Sequence, residues 1–143
     1  MEWEPFVEEG LIVPCDGKRA EALPLVNVAW KGVTRARHAC EGFQWDVADV
    51  EAHDAMALAG DSLCLYYGYR FAEPPTFEGS QRICSAFFKP GIADAVFERA
   101  GILEGMMPLP NEELDPDLLK RARHSVGASA ELCAMVESFV YFS

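Results

Sequence analysis

The stretch DSLCLYYGYRFAEPPTFEGSQRICSAFFKP, residues 61–90, joins two β-prone runs through a loop that contains proline and glycine. Alternate positions from Leu63 to Tyr69 carry aliphatic or aromatic side chains, which is the period of a strand that buries one face. The loop, AEPPTFEGSQ, is too long for a two-residue turn and fits a wider hairpin connection. The stretch therefore predicts a central hairpin with strands at 62–71 and 82–88.

Outside this stretch, short helices alternate with a few strands. Apolar spacing, glycine and proline predict strands at 11–14 and 23–28, helices at 27–41, 46–60 and 92–100, further helices that begin at 5, 116 and 129, and a loop over 101–115. We expect an α+β fold, in which a small, mainly antiparallel sheet surrounds the hairpin and several short helices lie on one side. Since no repeat or linker interrupts the sequence, residues 1–143 are expected to form a single domain.

The composition is that of a globular chain, with half of its 143 residues hydrophobic. Its five cysteines are scattered without a CxxC pair, an arrangement typical of reduced thiols in the cytoplasm. The N-terminus, MEWEPFVEEG, lacks the features of a signal peptide, and no apolar run approaches the roughly 20 residues that cross a bilayer. We therefore expect a soluble, cytoplasmic protein without membrane association.

The charge is strongly acidic, because 23 acidic and 12 basic residues give a formal net charge of −11. This charge disfavours binding to nucleic acid and favours solubility or a basic partner. Many of the carboxylates stand at predicted helix ends, where they offset the helix dipole. Their distribution therefore favours a structural explanation over a dedicated acidic binding face.

Basic residues are concentrated on the predicted helix 27–41, which carries Lys31, Arg35, Arg37 and His38. Arginine in such a cluster can hold a phosphate or carboxylate group. No glycine-rich phosphate loop accompanies the cluster, and four cations over eight residues are common on solvated helix faces. A solvated face is therefore the favoured interpretation, with anion binding as the alternative.

Catalytic and metal sites leave little trace in the sequence. Only His38 and Cys40 are close enough to form a local ligand pair, whereas structural zinc sites usually have two such pairs, so no metal is predicted. Cys64 and Cys84 lie in predicted strands, where cysteine is usually a small buried hydrophobe. The GxSxG, HExxH, Walker and GxGxxG patterns are absent, and no catalytic residue is predicted.

The candidate binding residues lie at the rim of the predicted hairpin. Aromatic planes beside a guanidinium suit a nucleotide or a flat protein surface, although alternate tyrosines can also simply cover the core. Phe77 is a large apolar residue in an otherwise polar loop, so it must either pack beneath the loop or contact a partner. The predicted binding residues are Tyr67, Tyr69, Arg70, Phe71 and Phe77, with Arg35 as a second cation.

Part of the hairpin stretch resembles a group of bacterial domains associated with conflict or defence systems. The matching residues are Leu65, Tyr66, Tyr67, Gly68, Tyr69 and Arg70, followed by Cys84, Phe87, Phe88 and Lys89. The His-Thr-type opening that looks like an ADP-ribosyltransferase nicotinamide site is absent from this chain, and the insertion usual between the glycine and the arginine is shorter. The resemblance implies a transferase-like fold in a bacterial or phage conflict system.

Two functions follow as hypotheses. The first is a non-enzymatic interaction module, of inhibitor, immunity or adaptor type, that docks to another protein or to a second copy through its apolar C-terminal helix and needs no cofactor. The second, implied by the resemblance, is an ADP-ribosyltransferase-like or nucleotide-binding enzyme, active or degenerate. In that case NAD is the cofactor, Tyr67 and Tyr69 stack on a base or nicotinamide ring, and Arg70 or Arg35 holds phosphate.

Overall fold

The computed structural model describes residues 1–101 and 116–142, without the side chains of 101, 116–118 and 142. This part of the chain is mostly helical and contains one two-stranded antiparallel sheet. Its elements are α1 (Glu4–Glu8), β1 (Ile12–Pro14), a 3-10 helix (Arg19–Glu21), α2 (Ala22–Glu41), α3 (Trp45–Tyr66), β2 (Tyr69–Phe71), α4 (Phe77–Phe87), α5 (Ile92–Gly101) and α6 (Pro116–Phe142). The predicted α+β fold with a central hairpin is therefore wrong.

Residues 62–66 of the first predicted hairpin strand are instead the C-terminal end of α3, while residues 69–71 form strand β2. Helix α3 packs against α2, α4 and α6, so every residue from Ser62 to Tyr66 is buried. A helix that is covered on several sides has no polar face, and its residues can mimic the period of a strand. Gly60, the predicted helix end, lies within α3. Any larger residue would collide with α4 at this position, because a Cβ atom would come within 2.1 Å of the Ser80 hydroxyl oxygen. The glycine permits close packing of α4 on α3.

The second predicted hairpin strand is helix α4. Thr76 begins this helix as its N-cap, and its hydroxyl oxygen accepts a hydrogen bond of 3.0 Å from the backbone N–H of Gly79. The buried positions Gly79, Ser80, Ile83 and Cys84 follow the helical period of i, i+3 and i+4. Residues 76–81 of the predicted hairpin loop therefore form the start of a helix.

Strands β1 and β2 pair in register, with Val13 opposite Arg70. The predicted strand at 11–14 is thus confirmed, whereas the predicted strand at 23–28 lies inside α2. Pro24 is compatible with this helix because it stands in the first turn, where backbone N–H groups have no partner within the helix. The sheet ties the N-terminal segment to the chain that follows α3.

The C-terminal helix α6 runs unbroken from Pro116 to Phe142, whereas the sequence predicts two helices. The predicted N-cap Ser129 lies inside the helix, where its hydroxyl donates a hydrogen bond of 2.6 Å to the carbonyl of Val126. The predicted helix at 92–100 is confirmed as α5, and the predicted loop at 101–115 lies almost entirely outside the described residues. Within the described part of the chain, no helix is long and apolar enough to cross a membrane.

Helices α2, α3 and α6 form the centre of the molecule, with α2 antiparallel to the other two. The first turns of α3 lie beside the first half of α6, as shown by the hydrogen bond of 3.1 Å that the Ser125 hydroxyl donates to the Asp49 carboxylate. The core at this end is rich in alanine, with Ala36, Ala39, Cys40, Trp45, Ala48, Ala52, Ala122 and Val126. The opposite end, where α3 and α6 finish, is rich in aromatic side chains.

Candidate functional site

The aromatic cluster is a group of six side chains at the C-terminal ends of α3 and α6. Its members come from five parts of the chain: the residue before α1, the end of α3, β2, the end of α4 and α6. They are Trp3, Tyr67, Tyr69, Phe87, Phe88 and Phe139. Because these residues are distant in sequence, only the tertiary fold brings them together.

Ring contacts run through the whole aromatic cluster. Trp3 stacks on Tyr69 and on Tyr67, with ring centroids 5.1 and 5.5 Å apart. Phe87 is the centre of the cluster, since its ring lies 5.2 Å from those of Tyr67 and Phe88 and 5.1 Å from that of Phe139. These separations are in the favourable range for aromatic pairs, so the cluster is a fixed surface rather than a set of independent side chains.

An apolar groove adjoins the aromatic cluster. It has a volume of about 400 Å³ and is lined by Phe87, Phe88, Lys89, Ile92, Met135, Ser138 and Phe139. Ile92 is 48 % exposed, and Phe139 and Tyr67 are each 40 % exposed. The groove thus offers apolar side chains to solvent, and Lys89 is the one charged residue among those that line it.

The tyrosine beside the cluster, Tyr66, has a cation on its outer face. The guanidinium of Arg19 lies 4.0 Å from the centroid of the Tyr66 ring and donates a hydrogen bond to the Tyr66 hydroxyl. Tyr66 itself is buried and contacts the ring of Tyr67 edge-on at 5.1 Å. Arg19 therefore fixes the edge of the aromatic surface through a cation–π contact.

The structure brings together only two of the six predicted binding residues, Tyr67 and Tyr69. Phe71, their neighbour in β2, is only 8 % exposed and belongs to the hydrophobic core. Arg70 is exposed, and its charge lowers the pKa of Asp61, although burial of that carboxyl raises the pKa more strongly. Arg35 lies on α2 and forms a 3.0 Å salt bridge with Glu51 of α3.

Phe77 is in a different environment from the two tyrosines. As the first residue of α4 it stacks on the ring of His53 at 4.2 Å and contacts that of Phe97 edge-on at 5.2 Å. It is half-buried, which agrees with the expectation that such a residue could pack beneath its own segment. Phe77 therefore holds α4 against α3 and α5.

Sequence reasoning missed Trp3, Phe88, Phe139 and Ile92 as members of one surface. Trp3 is separated by more than sixty residues from its stacking partners Tyr67 and Tyr69, and no local pattern reports such a contact. One local signal was present. The pair Phe87-Phe88 directly precedes Lys-Pro-Gly, so two adjacent aromatic residues stand at a helix end, where at least one must face away from the core.

A polar network of Asp49, His53 and Ser125 lies between α3 and α6. The His53 Nε2 atom is 2.7 Å from the carbonyl oxygen of Ala100 and 3.4 Å from the Asp49 carboxylate. Burial raises the pKa of Asp49, while the charge of His53 and the hydrogen bond from Ser125 lower it. Since the Ser125 hydroxyl donates to Asp49 and not to His53, the arrangement lacks the contact that activates a serine nucleophile.

The buried thiols are poor nucleophiles. Burial raises the pKa of Cys84 and of Cys133 to about 12, and it also raises that of Cys64. These cysteines are therefore protonated at neutral pH, whereas nucleophilic attack requires the thiolate. Among the described residues, no group of three or more His, Cys, Asp or Glu side chains is placed to bind a metal ion.

Searches with protein-family models, curated protein sequences and solved structures gave no match to this chain.

Proposed function

We propose that this protein is an interaction module that binds a partner protein on the aromatic cluster and its adjoining groove. The observation that carries this proposal is the 400 Å³ groove, whose rings come from α4 and α6 and remain partly exposed. Exposed, contiguous aromatic side chains are enriched in protein–protein contacts, because they bury much area at a small cost in conformational entropy. The placement of such a module in a conflict or defence system stays a prediction.

Charge favours a partner with basic residues beside its apolar ones. Four of the first nine residues are glutamates and none is basic, and this segment carries Trp3 into the aromatic cluster. The whole chain has a net charge of −11, so a basic protein is attracted and an acidic one is repelled. The partner we propose therefore fills the groove with apolar side chains and places lysine or arginine near the N-terminal glutamates.

The geometry of the two tyrosines also bears on the nucleotide hypothesis. Trp3 already stacks on one face of both rings, so a base or nicotinamide could use only the opposite faces. In addition, Arg35 pairs with Glu51 on another part of the molecule. Binding of a protein uses the aromatic cluster as it stands, which is why we prefer it.

The test compares two charge insertions at exposed apolar residues. Ile92→Glu places a carboxylate in the groove at the first turn of α5, where a negative charge suits the helix dipole. Val50→Glu, at a 58 % exposed position of α3 that does not line the groove, is the matched control. We expect the unchanged protein and Val50→Glu to capture the same partner, identified by mass spectrometry, and Ile92→Glu to lose it.

Salt and self-association complete the test. Capture should weaken as ionic strength rises, because attraction to a basic partner is screened. If light scattering instead shows a dimer that Ile92→Glu converts to a monomer, the occupant is a second copy and not a basic partner. Equal capture by both variants would contradict the proposed docking surface.

A further inference from the structure

A second cleft lies at the opposite end of the molecule, between the last turns of α2 and the first half of α6. It has a volume of about 320 Å³ and is lined by Arg37, Cys40, Glu41, Arg123, Val126, Gly127 and Ala130. Cys40 and Val126 are buried and provide an apolar floor, while Arg37, Glu41 and Arg123 are exposed. This volume is at the small end of the range for ligand sites, so the cleft suits a small molecule.

The two arginines of this cleft differ from three other arginines in the described part of the chain. Arg35, Arg82 and Arg99 each pair with a glutamate. Arg37 and Arg123, in contrast, make no salt bridge with any described residue, although the chain has nearly twice as many acidic as basic residues. Both guanidinium groups line the same cleft, where one anionic group can accept charge-assisted hydrogen bonds from each of them.

Two of the charged side chains that line the cleft, Arg123 and Glu41, act electrostatically on Cys40 in its floor. Burial raises the pKa of the Cys40 thiol, the charge of Arg123 lowers it and the charge of Glu41 raises it. The charges of Arg123 on α6 and Glu41 on α2 therefore both influence the Cys40 thiol. A ligand on this floor meets a cation from each helix and one carboxylate.

Gly127 widens the cleft without serving the packing of the protein. A Cβ atom at this position would have no heavy atom within 4 Å, so alanine would fit. Glycine inside a helix costs about 1 kcal/mol relative to alanine, and α6 carries it in its interior. Because Gly127 lines the cleft, the absence of a side chain at this position leaves the cleft wider.

We propose that this cleft binds the phosphate group of a small hydroxylated phosphate monoester. A carboxylate has two oxygen atoms, which one arginine can occupy completely, whereas a phosphate group has enough acceptors and charge for both Arg37 and Arg123. Glu41 cannot contact a second anionic group, but its carboxylate accepts a hydrogen bond from a ligand hydroxyl. The free phosphate ion shares the chemistry of the anchoring group.

The experiment is a titration followed by two-dimensional NMR of the amide groups, with three probes: inorganic phosphate, glycerol 3-phosphate and acetate. We expect the amide signals of Cys40 and Gly127 to shift along a saturable curve with the phosphate probes at constant ionic strength. Tighter binding of glycerol 3-phosphate identifies a monoester as the occupant, and equal binding identifies the free ion. Saturation by acetate alone would overturn the proposal.

Variants assign the binding to the two arginines. Arg37→Ala and Arg123→Ala should each weaken phosphate binding about tenfold, the usual consequence of removing a charge-assisted hydrogen-bond partner. Arg35→Ala is the matched control on the same helix, and its affinity should be unchanged because Arg35 pairs with Glu51. Glu41→Gln should tighten binding of inorganic phosphate by removing a repulsive charge. Equal weakening by Arg35→Ala and Arg37→Ala would overturn the proposal, because it would show that only the net charge of the protein matters and not the position of the arginine.

Discussion

The two ends of the helical core differ in how they are packed. At one end, large rings from five parts of the chain contact one another, and the exposed ones border an apolar groove. At the other end, alanine side chains let α2, α3 and α6 approach closely, and charged side chains surround a small cleft. Large side chains keep helices apart and leave apolar surface uncovered, whereas small ones bring helices together and leave long polar side chains at the edge.

The two surfaces also depend on different helices. The aromatic cluster depends on α4, which carries Phe87, whereas the described residues that line the cleft all belong to α2 and α6. A change that displaces α4 should therefore disturb the first surface more than the second.

Gly60→Ala should destabilise the protein by roughly 3 kcal/mol, since an added methyl group meets the Cβ and backbone Cα atoms of Ser80 at 2.6 and 2.9 Å. Displacing Ser80 would also break its 2.7 Å hydrogen bond to the Met56 carbonyl. Gly127→Ala is the control in α6, where the methyl group has space and should stabilise by up to about 1 kcal/mol. Urea unfolding measures both, and a similar effect of the two changes would refute the close packing of α4 on α3.

Phe87→Ala should reduce the free energy of unfolding by roughly 2 kcal/mol, which is less than for a fully buried phenylalanine because Phe87 is half-buried. The variant should also lose the partner that we propose for the aromatic cluster. Phe43→Ala, at the alanine-rich end, is the matched change, since Phe43 is 48 % exposed and contacts Trp45 edge-on. Its cost should be below about 1 kcal/mol, and an equal cost for both would show that Phe87 is not the centre of the cluster.

Asp49→Asn should change how stability depends on pH. Burial raises the folded-state pKa of Asp49 above its ordinary value of 3.8, so the folded protein binds the proton more tightly than the unfolded chain. The stability that Asp49 contributes is therefore fully present below the ordinary pKa and is lost as pH rises through the folded-state pKa.

The asparagine variant does not titrate and should avoid this loss. Unfolding in urea between about pH 3 and about pH 7 should show the difference in stability, variant minus unchanged protein, becoming more positive as pH rises. A difference that becomes more negative would mean that His53 stabilises the ionised carboxylate more than burial destabilises it.

Arg35→Ala should have the smallest effect. Its salt bridge to Glu51 joins side chains that are 57 and 27 % exposed, so removing it should alter the free energy of unfolding by less than about 0.5 kcal/mol. Thermal unfolding at low and high salt is the measurement. A larger loss that disappears at high salt would show that charge pairing between α2 and α3 holds the alanine-rich end together.

Some of the fold could be predicted from the sequence because the local signal matched the tertiary environment. Strand 11–14, helix 92–100 and the helix start at Pro116 were predicted correctly, since each has a local start signal or one buried face. The prediction of a strand at residues 62–66 was wrong because α3 is buried on several sides at this point. The spacing of apolar residues distinguishes a helix from a strand only when one face of the element is exposed. When every face is buried, a short apolar run fits both structures.

The candidate sites were predictable only in part for a related reason. Tyr67 and Tyr69 lie in the aromatic cluster, and Arg37 lies in the cleft, but neither surface is formed by a continuous segment. Trp3 and Arg123 reach their positions through the docking of distant helices. The sequence indicates which aromatic and basic residues are candidates for binding. Which residues lie beside them depends on how the helices pair, and no local sequence pattern determines that.

Helix α6 has a further consequence for the order in which the two surfaces form. Its first half supplies Arg123 to the cleft and its last turns supply Phe139 to the groove. During synthesis, α2 and α3 emerge before α6 and can pair as sequence neighbours. Both surfaces therefore form only after α6 has emerged, and a nascent chain that stops before α6 presents neither.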